Sequence, residues 1–195
     1  FSGKYKDNDA IDGDINTARF HSPNGIAIDH INQIIYVSEQ DGQTIRKIEN
    51  GYVTTLAGQK NTPGSNNGNG EDASFNYPYD LAVDSNGNVF VADTDNFVIR
   101  KISREGLVST FAGSILNRGS QNGELTNARF AKPTGLTIDV NDNIYVAESE
   151  VHTIRKIDSS DTDYTYQEIF RGSTQHTVTE GTNSLNLRLS PLLDD

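Results

Sequence analysis

With 195 residues, of which 34% are hydrophobic, the chain has the length of one domain and a thin supply of apolar side chains. It contains no cysteine, which excludes disulfides and thiolate metal sites, and it has no apolar run near the roughly 20 residues that a membrane-spanning helix needs. A formal net charge of −11 argues against nucleic acid as a partner, because that binding depends on Lys and Arg neutralising phosphates.

Four short runs rich in Val, Ile, Tyr, Phe and Thr follow one another in the first third of the chain. They cover residues 25–29, 34–38, 44–49 and 52–57, and Gly, Asn or Asp separates each run from the next. This pattern is typical of strands joined by tight turns. It predicts a meander of four antiparallel strands.

The same runs return twice at a spacing of 55 residues, as the positions of three phenylalanines show: Phe20, Phe75 and Phe130. Two further sets keep this spacing, namely Pro23, Pro78 and Pro133, then Asp29, Asp84 and Asp139. Four antiparallel strands in each repeat, at a period above forty residues, predict the blade of a β-propeller. We therefore expect an all-β chain that forms a partial β-propeller of four-stranded antiparallel blades.

The repeats divide the single predicted unit, residues 1–195, into three complete blades and two terminal remnants. The parts are the outer strand of a preceding blade with a loop (1–19), the blades (20–58, 75–113 and 130–172) and a degraded start of the next blade (173–195). Propellers close with roughly four to eight blades, so three do not close one. We expect the chain to belong to a longer polypeptide or to an assembly of copies.

The repeated motifs resemble those of the NHL-repeat family of β-propellers. They are F-x-x-P-x-G-[IL]-x-[IV]-D, [IV]-[YF]-V-[AS]-[DE], I-R-K-I and G-x-V-[TS]-T-[LF]-A-G, and they cover essentially residues 1–172. Asp80 departs from the pattern, because the other two copies carry Gly25 and Gly135 there. The resemblance implies a propeller, and some enzymes of the family bind a metal through His residues in the central channel. The innermost strands of this chain offer no such His.

Each repeat carries one Arg seven residues after an acidic side chain. The pairs are Glu39 with Arg46, Asp93 with Arg100, and Glu148 with Arg155. The planar Arg fork suits bidentate contact with a carboxylate, so we expect each pair to lie within one hairpin or across neighbouring blades. We predict that these Arg residues are structural, together with the repeated Phe and Pro residues. Ligand binding by the Arg residues is the alternative.

The repeated Asp29, Asp84 and Asp139 each end the first strand of a repeat. An Asp at such a position accepts hydrogen bonds from the N–H groups of the following turn, so we predict a structural role. A ring of carboxylates around the central channel is the alternative.

A loop near the start of the chain, residues 4–19, is rich in acidic side chains. They are Asp7, Asp9, Asp12 and Asp14. Gly13 comes one position too late for the D-x-[DN]-x-[DN]-G calcium loop. We therefore expect a solvated loop, and weak Ca²⁺ binding is the alternative. No other cofactor and no catalytic residue is expected.

The turns between the second and third strands of the repeats carry two carboxylates each. These six residues, the predicted rim, are Glu39, Asp41, Asp93, Asp95, Glu148 and Glu150. Because the loops between blades lie on the same side of a propeller, we expect an acidic rim that attracts cationic proteins or divalent ions. Carboxylates that only keep the chain soluble are the alternative.

The faces of a three-blade arc that lack a neighbouring blade are expected to expose apolar residues. Ile26, Val37, Val91 and Ile144 are the candidates. At about 25 cal/mol per Å² such faces are costly to leave in water. We expect more chain, or further copies of this chain, to cover them.

These features together favour a non-catalytic scaffold or adhesion module that mediates protein–protein contacts, in an extracellular or cell-surface assembly such as a filament. The expected partners are another protein or copies of the chain, joined through the open blade edges, with no nucleic acid and no membrane span. The alternative is a fragment of a metal-dependent lyase or hydrolase whose active residues lie on blades that this sequence does not contain.

Overall fold

The computed structural model of the protein describes residues 9–158 and the backbone of residues 166–171. It contains three antiparallel sheets, one for each repeat. The first sheet comprises β1 (Gly13–Asp14), β2 (Pro23–Asp29), β3 (Ile34–Glu39), β4 (Thr44–Glu49) and β5 (Tyr52–Ala57). The second comprises β6 (Gly68–Asn69), β7 (Pro78–Val83), β8 (Val89–Asp93), β9 (Val98–Ile102) and β10 (Leu107–Gly113). The third comprises β11 (Pro133–Ile138), β12 (Ile144–Glu148), β13 (Thr153–Ile157) and β14 (Tyr166–Arg171).

The helices of the described residues are two single 3-10 turns, Gly70–Asp72 and Thr94–Asn96. Neither is long enough to span a bilayer, and no other helix occurs in the described part of the chain that could do so.

The four long strands of each sheet lie side by side in chain order, and each is antiparallel to its neighbours. Among the first strands of the three repeats, β7 contacts both β2 and β11, so the sheets are arranged as blades with their first strands at a shared inner edge. The predicted all-β fold and partial propeller are confirmed. The strand expected at the very start of the chain and the blade start expected at 173–195 lie outside the described residues.

A fifth strand of two residues borders the first two sheets. Gly13 in β1 lies opposite Val53 in β5, and Gly68 in β6 lies opposite Val108 in β10. The short strand comes from the loop that precedes the blade, so each loop returns to the outer edge of the blade that it introduces. The sequence did not predict this strand, because Asp-Gly and Asn-Gly in a polar stretch are typical of turns.

The hydrophobic core lies between the blades. One cluster joins the first and second blades and contains, among others, Tyr36, Ile45, Ala57, Phe75, Leu81, Val91 and Ile102. A second cluster joins the second and third blades and contains, among others, Phe90, Ile99, Ala112, Phe130, Leu136, Ile144 and Val146. The third strands of the first two blades, β4 and β9, therefore bury both faces, which explains why the R-K-I segments lack a strict alternation of apolar and polar residues.

The prediction of apolar residues on the open faces is wrong for three of its four members. Val91 and Ile144 are buried because they belong to the contacts between blades, and Val37 is buried because Ala18 and Phe20 pack against its side of the first blade. Ile26 is 63% exposed, as expected. The other exposed apolar residues on the outer faces are Ile28 in the first blade and Ile154 in the third.

Asp80, which replaces the glycine of the other repeats, links two inner strands. One carboxylate oxygen accepts the N–H of Leu81 at 2.9 Å, and the other accepts the N–H of Leu136 in the third blade at 2.8 Å. The departure from the repeat pattern thus supplies a hydrogen bond between blades that a glycine cannot make.

Replacing Asp80 with alanine is expected to lower the free energy of unfolding by about 1–3 kcal/mol, because both N–H groups lose their acceptor. Chemical denaturation of parent and variant measures this difference. Asp80→Asn is the control, since it keeps one acceptor oxygen and should retain part of the stability. Equal stability of Asp80→Ala and the parent would mean that the link contributes nothing.

Candidate functional site

Each blade holds one fully buried arginine at the same place in its third strand. The side chains of Arg46, Arg100 and Arg155 are at most 1% exposed. Each donates from Nη1 to the acidic residue seven positions earlier, at 2.9 Å to Glu39, 2.8 Å to Asp93 and 3.0 Å to Glu148. The structure therefore brings together all three pairs that the spacing indicated, each within a single hairpin.

The arginine also holds the loop that precedes its blade, as the second repeat shows. Arg100 donates to the carbonyl oxygen of Ser74 at 3.0 Å, to that of Asn66 at 2.8 Å and to Oδ1 of Asn67 at 2.9 Å. Its guanidinium carbon lies 5.3 Å from the centre of the Phe75 ring, within range for a cation–π contact. We call each of these arrangements an arginine node, and it ties the loop that precedes a blade to the third strand of that blade.

The other two nodes have the same contacts. Arg46 donates to the carbonyl oxygens of Arg19 and Ile11, and Arg155 donates to those of Arg129 and Gln121. The rings of Phe20 and Phe130 lie 5.4 and 5.3 Å from the respective guanidinium carbons.

Three members of the predicted rim are not at the surface. Glu39, Asp93 and Glu148 are at most 1% exposed, because the arginine nodes draw their side chains into the protein. Each also accepts a backbone N–H from the preceding loop, at 2.6–2.8 Å. The prediction that they form an interaction rim is therefore wrong. Asp41, Asp95 and Glu150 are the members that remain at least partly exposed.

The carboxyl of Asp93 has an unusual protonation equilibrium. Burial raises its pKa to about 6, although Arg100, Asn96 and the N–H of Asn76 all favour the ionised form. The charge of this node is thus maintained against a substantial desolvation cost.

The predicted calcium residues have partners within the protein. Asp12 accepts hydrogen bonds from Arg46 at 2.7 Å and from the N–H and hydroxyl of Thr55, and Asp14 accepts from Thr17 and from the N–H of Asn16. Asp9 is exposed, and Asp7 lies outside the described residues. No group of three or more His, Cys, Asp or Glu side chains within the described residues is placed to hold a metal ion. Of the described members of the suggested calcium loop, Asp12 serves an arginine node and Asp14 accepts hydrogen bonds from its own turn.

The strand-ending aspartates lie at the turns between the first and second strands. Asp29 accepts the N–H groups of Ile31 and Asn32, at 3.0 and 2.9 Å, and its second oxygen accepts the amide of Asn32 at 2.7 Å. Asp84 and Asp139 make the same type of turn. Pro23, Pro78 and Pro133 are the first residues of the inner strands.

The turn hydrogen bonds make the stability of the first blade sensitive to acid. Burial would raise the pKa of Asp29, but the hydrogen bonds from Asn32 and Ile31 and the charge of Arg104 outweigh it, so the pKa lies below the ordinary value of 3.8. A carboxyl with a lowered pKa stabilises the fold above its unfolded pKa, and that contribution is lost as the pH falls through the folded pKa.

We expect Asp29→Asn to lower the free energy of unfolding by about 1 kcal/mol at neutral pH, because the accepted hydrogen bonds lose their charge. The difference between parent and variant should shrink as the pH falls below about 4. Urea denaturation at a series of pH values measures it, and Asp9→Asn is the exposed control. A difference that stays constant into strong acid would contradict the assignment.

A surface depression of about 460 Å³ lies between the second and third blades. It is lined by Asp95, Phe97, Arg118, Lys132, Ser149 and Glu150. These residues come from the turns after β8 and β12 and from the loop that joins the two blades, so both kinds of segment do share one side of the propeller. We call this depression the junction cleft.

Sequence reasoning identified only the two carboxylates of the junction cleft. Arg118 pairs with Glu150, so the cleft carries both signs of charge. The missed residues left one signal in the sequence, because Phe97 occupies a position that is polar in the other two repeats. The role of Phe97 depends on which loop residues lie opposite its ring, and the sequence alone does not show which residues those are.

The sequence profile of the NHL repeat matches residues 75–102 and 130–157, which span β7 to β9 and β11 to β13. Human NHL repeat-containing protein 2 is 28% identical to the chain over 176 residues, which cover 77% of the chain and 24% of that protein. The chain spans about a quarter or less of the length of the first curated relatives that it matches.

Solved structures show the same architecture. A protein of unknown function from Bacteroides thetaiotaomicron superposes with a TM-score of 0.65 at 25% identity, over 74% of this chain and 35% of that one. A gluconolactonase from Xanthomonas campestris superposes with a TM-score of 0.52 at 12% identity, over 73% of this chain and 46% of that one. At 12% identity the likeness concerns the fold alone.

Proposed function

We propose that this chain, which belongs to the NHL-repeat β-propellers, is a non-catalytic scaffold module that mediates protein–protein contacts as a section of a larger propeller or assembly. The arginine nodes carry this proposal. They hold the inter-blade loops in place by buried hydrogen bonds, and loops on a rigid scaffold are where binding residues are commonly found. A loop surface that is already ordered loses little conformational entropy when a partner binds.

The contact surface in this proposal is the side of the propeller that carries the junction cleft. Its exposed carboxylates are Asp41, Asp95 and Glu150, and Arg118 and Lys132 lie beside the last two. A surface of mixed charge suits a partner with groups of both signs better than a purely cationic one.

Site-specific photo-crosslinking tests this proposal. A photoreactive residue at Asp41, Asp95 or Glu150 in the full chain should form covalent adducts with a partner protein in the native source. The matched controls are Asn50 and Glu105, exposed residues in the turns between third and fourth strands on the opposite side. Adducts from the control positions only, or from none of the five, would count against the proposed surface.

The open blade faces support the proposal of a larger assembly. Ile26 and Ile28 are exposed on the first blade and Ile154 on the third, where a further blade or a second copy would cover them. The relatives are also several times longer than this chain. An extracellular or cell-surface location belongs to the same proposal, and detection of the intact protein in the secreted fraction would test it.

The isolated 195-residue chain is therefore expected to self-associate through its open faces. Light scattering should give a solution mass above that of one chain, and Ile26→Glu should shift the mass toward the single chain by placing a charge in the contact. Leu107→Glu, at an exposed position on an outer strand, is the matched control. A parent chain that stays monomeric at all concentrations would exclude this form of assembly.

A metal-dependent lyase or hydrolase is the second proposal, and the fold likeness to a gluconolactonase favours it. Its metal ligands would lie beyond the described residues, since no cluster within them is suited to a metal. Elemental analysis of the purified protein after dialysis tests this alternative, because one tightly held divalent ion per chain would favour an enzyme.

A further inference from the structure

One residue in each repeat adopts the left-handed backbone conformation directly before the third strand. These residues are Gln43 (φ 60°), Phe97 (φ 58°) and His152 (φ 56°). In the first repeat, Gln43 is buried and its Oε1 accepts the N–H of Tyr77 at 2.8 Å. An amide of the first blade thereby caps the start of the second blade from within the protein.

The junction between the second and third blades lacks this cap. Phe97 stands in place of the glutamine, and a phenyl ring offers no hydrogen-bond acceptor of that kind. Lys132 stands in place of Tyr77, and its backbone N–H donates to no backbone carbonyl of the described residues. Phe97 and Lys132 both line the junction cleft.

Two charged side chains in the junction cleft also lack a partner in the described part of the chain. Arg118 and Glu150 pair with each other. The ammonium of Lys132 and the carboxylate of Asp95 are the two charged groups of the cleft that remain without an ion-pair partner among the described residues. The counterpart of Asp95 in the first repeat is Asp41, which accepts a serine hydroxyl at 2.5 Å. The second junction therefore presents the N–H and ammonium of Lys132, the carboxylate of Asp95 and the half-buried ring of Phe97 in one depression.

We infer that the junction cleft binds a peptide segment of a partner protein through one amide group and one apolar side chain. The amide carbonyl accepts from the N–H or ammonium of Lys132, the amide N–H donates to Asp95, and the apolar side chain packs on Phe97. This inference rests on the proposed function and names the place where the contact is made.

The charges of the cleft favour an amide over a charged ligand. A free carboxylate would be attracted by Lys132 but repelled by Asp95, and a free cation would be attracted by Asp95 but repelled by Lys132. For either ligand the repulsion offsets the attraction. An amide offers a donor and an acceptor without net charge and satisfies both. The Phe97 ring adds apolar surface, which a peptide side chain can cover.

N-acetyl-phenylalaninamide is a suitable probe, because it combines two amides with one aromatic side chain. For its roughly 15 non-hydrogen atoms, an ordinary ligand efficiency predicts a Kd on the order of 1 mM. Titration of the ¹⁵N-labelled 195-residue chain, followed by NMR, should shift the amide signals of Phe97, Lys132 and Ser149. Sodium acetate and methylammonium chloride serve as the carboxylate and cation comparators.

Phe97→Gln tests the mechanism, because it restores the internal cap of the first repeat. Gln43 already has a φ of 60°, so the substituted residue suits the backbone, and the NMR spectrum itself reports that the variant is folded. We expect binding of the probe to weaken by at least about tenfold. His152→Gln makes the matching change in the third repeat, away from the cleft, and should leave the affinity unchanged.

The inference is overturned if the probe causes no shifts at about ten times the expected Kd, or if Phe97→Gln binds it as well as the parent does. Acetate or methylammonium acting as strongly as the probe would likewise overturn the assignment to an amide. Crosslinking from Asp41, which does not line the cleft, in the absence of probe binding would leave the proposed contact surface standing and remove only the cleft, so the two proposals fail separately.

Discussion

Replacement of Arg100 with alanine is expected to lower the free energy of unfolding by about 3–5 kcal/mol, because it leaves the buried carboxylate of Asp93 without its cation. The same change removes the bonds to the carbonyl oxygens of Ser74 and Asn66, which lose their donor. Urea denaturation of parent and variant measures the loss. Any reduction in partner binding should follow the loss of folded protein.

Lys47→Ala provides the surface control for this substitution. Lys47 and Glu49 form an ion pair whose side chains are 26% and 41% exposed, and such pairs contribute about 0–1 kcal/mol. If Arg100→Ala costs no more than Lys47→Ala, the arginine node does not stabilise the blade. A variant that unfolds like the parent but no longer binds a partner would assign Arg100 to binding instead.

The loss in Arg100→Ala should also depend on pH. The pKa of Asp93 is already raised to about 6 with the arginine present, and removal of that positive charge raises it further. A carboxyl with a raised folded pKa destabilises the fold as the pH rises through that value. The penalty is therefore expected to be larger near pH 8 than near pH 5, and a penalty that grows toward acid would contradict this account.

Phe75→Ala is expected to cost about 3–5 kcal/mol, because it removes a fully buried ring and leaves a cavity between two blades. Phe75 packs in the cluster between the first and second blades and lies under the guanidinium of Arg100. Its loss therefore weakens both the apolar contact and an arginine node. Thermal and urea denaturation of parent and variant report the effect.

Two further substitutions separate the contributions of Phe75. Phe75→Leu keeps much of the apolar volume but has no ring. The difference in free energy of unfolding between Phe75→Leu and the parent therefore includes the loss of the cation–π contact. Tyr52→Ala removes an aromatic residue that is 61% exposed and should change stability by less than about 1 kcal/mol. A Phe75→Ala variant as stable as Tyr52→Ala would mean that the blades do not depend on this contact.

Repetition is the reason that so much of the fold could be predicted from one sequence. A strand signal that is ambiguous once becomes firm when Phe, Pro, Asp and Arg each occur three times at intervals of 54 or 55 residues. The seven-residue interval between Asp93 and Arg100 also fixed the pairing, because it brings the two side chains to the same face of one hairpin. The NHL-repeat resemblance is confirmed by the matched repeats and by the propeller architecture.

The candidate site was harder to predict, because it depends on contacts between segments that are distant in sequence. Glu39 and Asp41 stand two positions apart in one acidic turn, yet the first is buried against Arg46 and the second faces solvent. From the sequence alone, Glu39 and Asp41 are expected to be equally exposed to solvent. The junction cleft likewise arises because Lys132 lies opposite Phe97, and that pairing follows from how two blades pack.

The side-chain hydrogen-bond partners of Arg46 and of Arg100 each fall within a single repeat, which bears on how such a chain can grow. Every group that accepts a hydrogen bond from the Arg100 side chain lies between Asn66 and Arg100, and every such group of Arg46 lies between Ile11 and Arg46. A duplication or deletion of 55 residues therefore transfers an arginine together with all of these acceptors and leaves no buried charge without its partner. The stretch from loop to outer strand therefore carries its own buried ion pair with it when a blade is gained or lost, whereas the bonds that Gln43 and Asp80 make between blades must form anew at each junction.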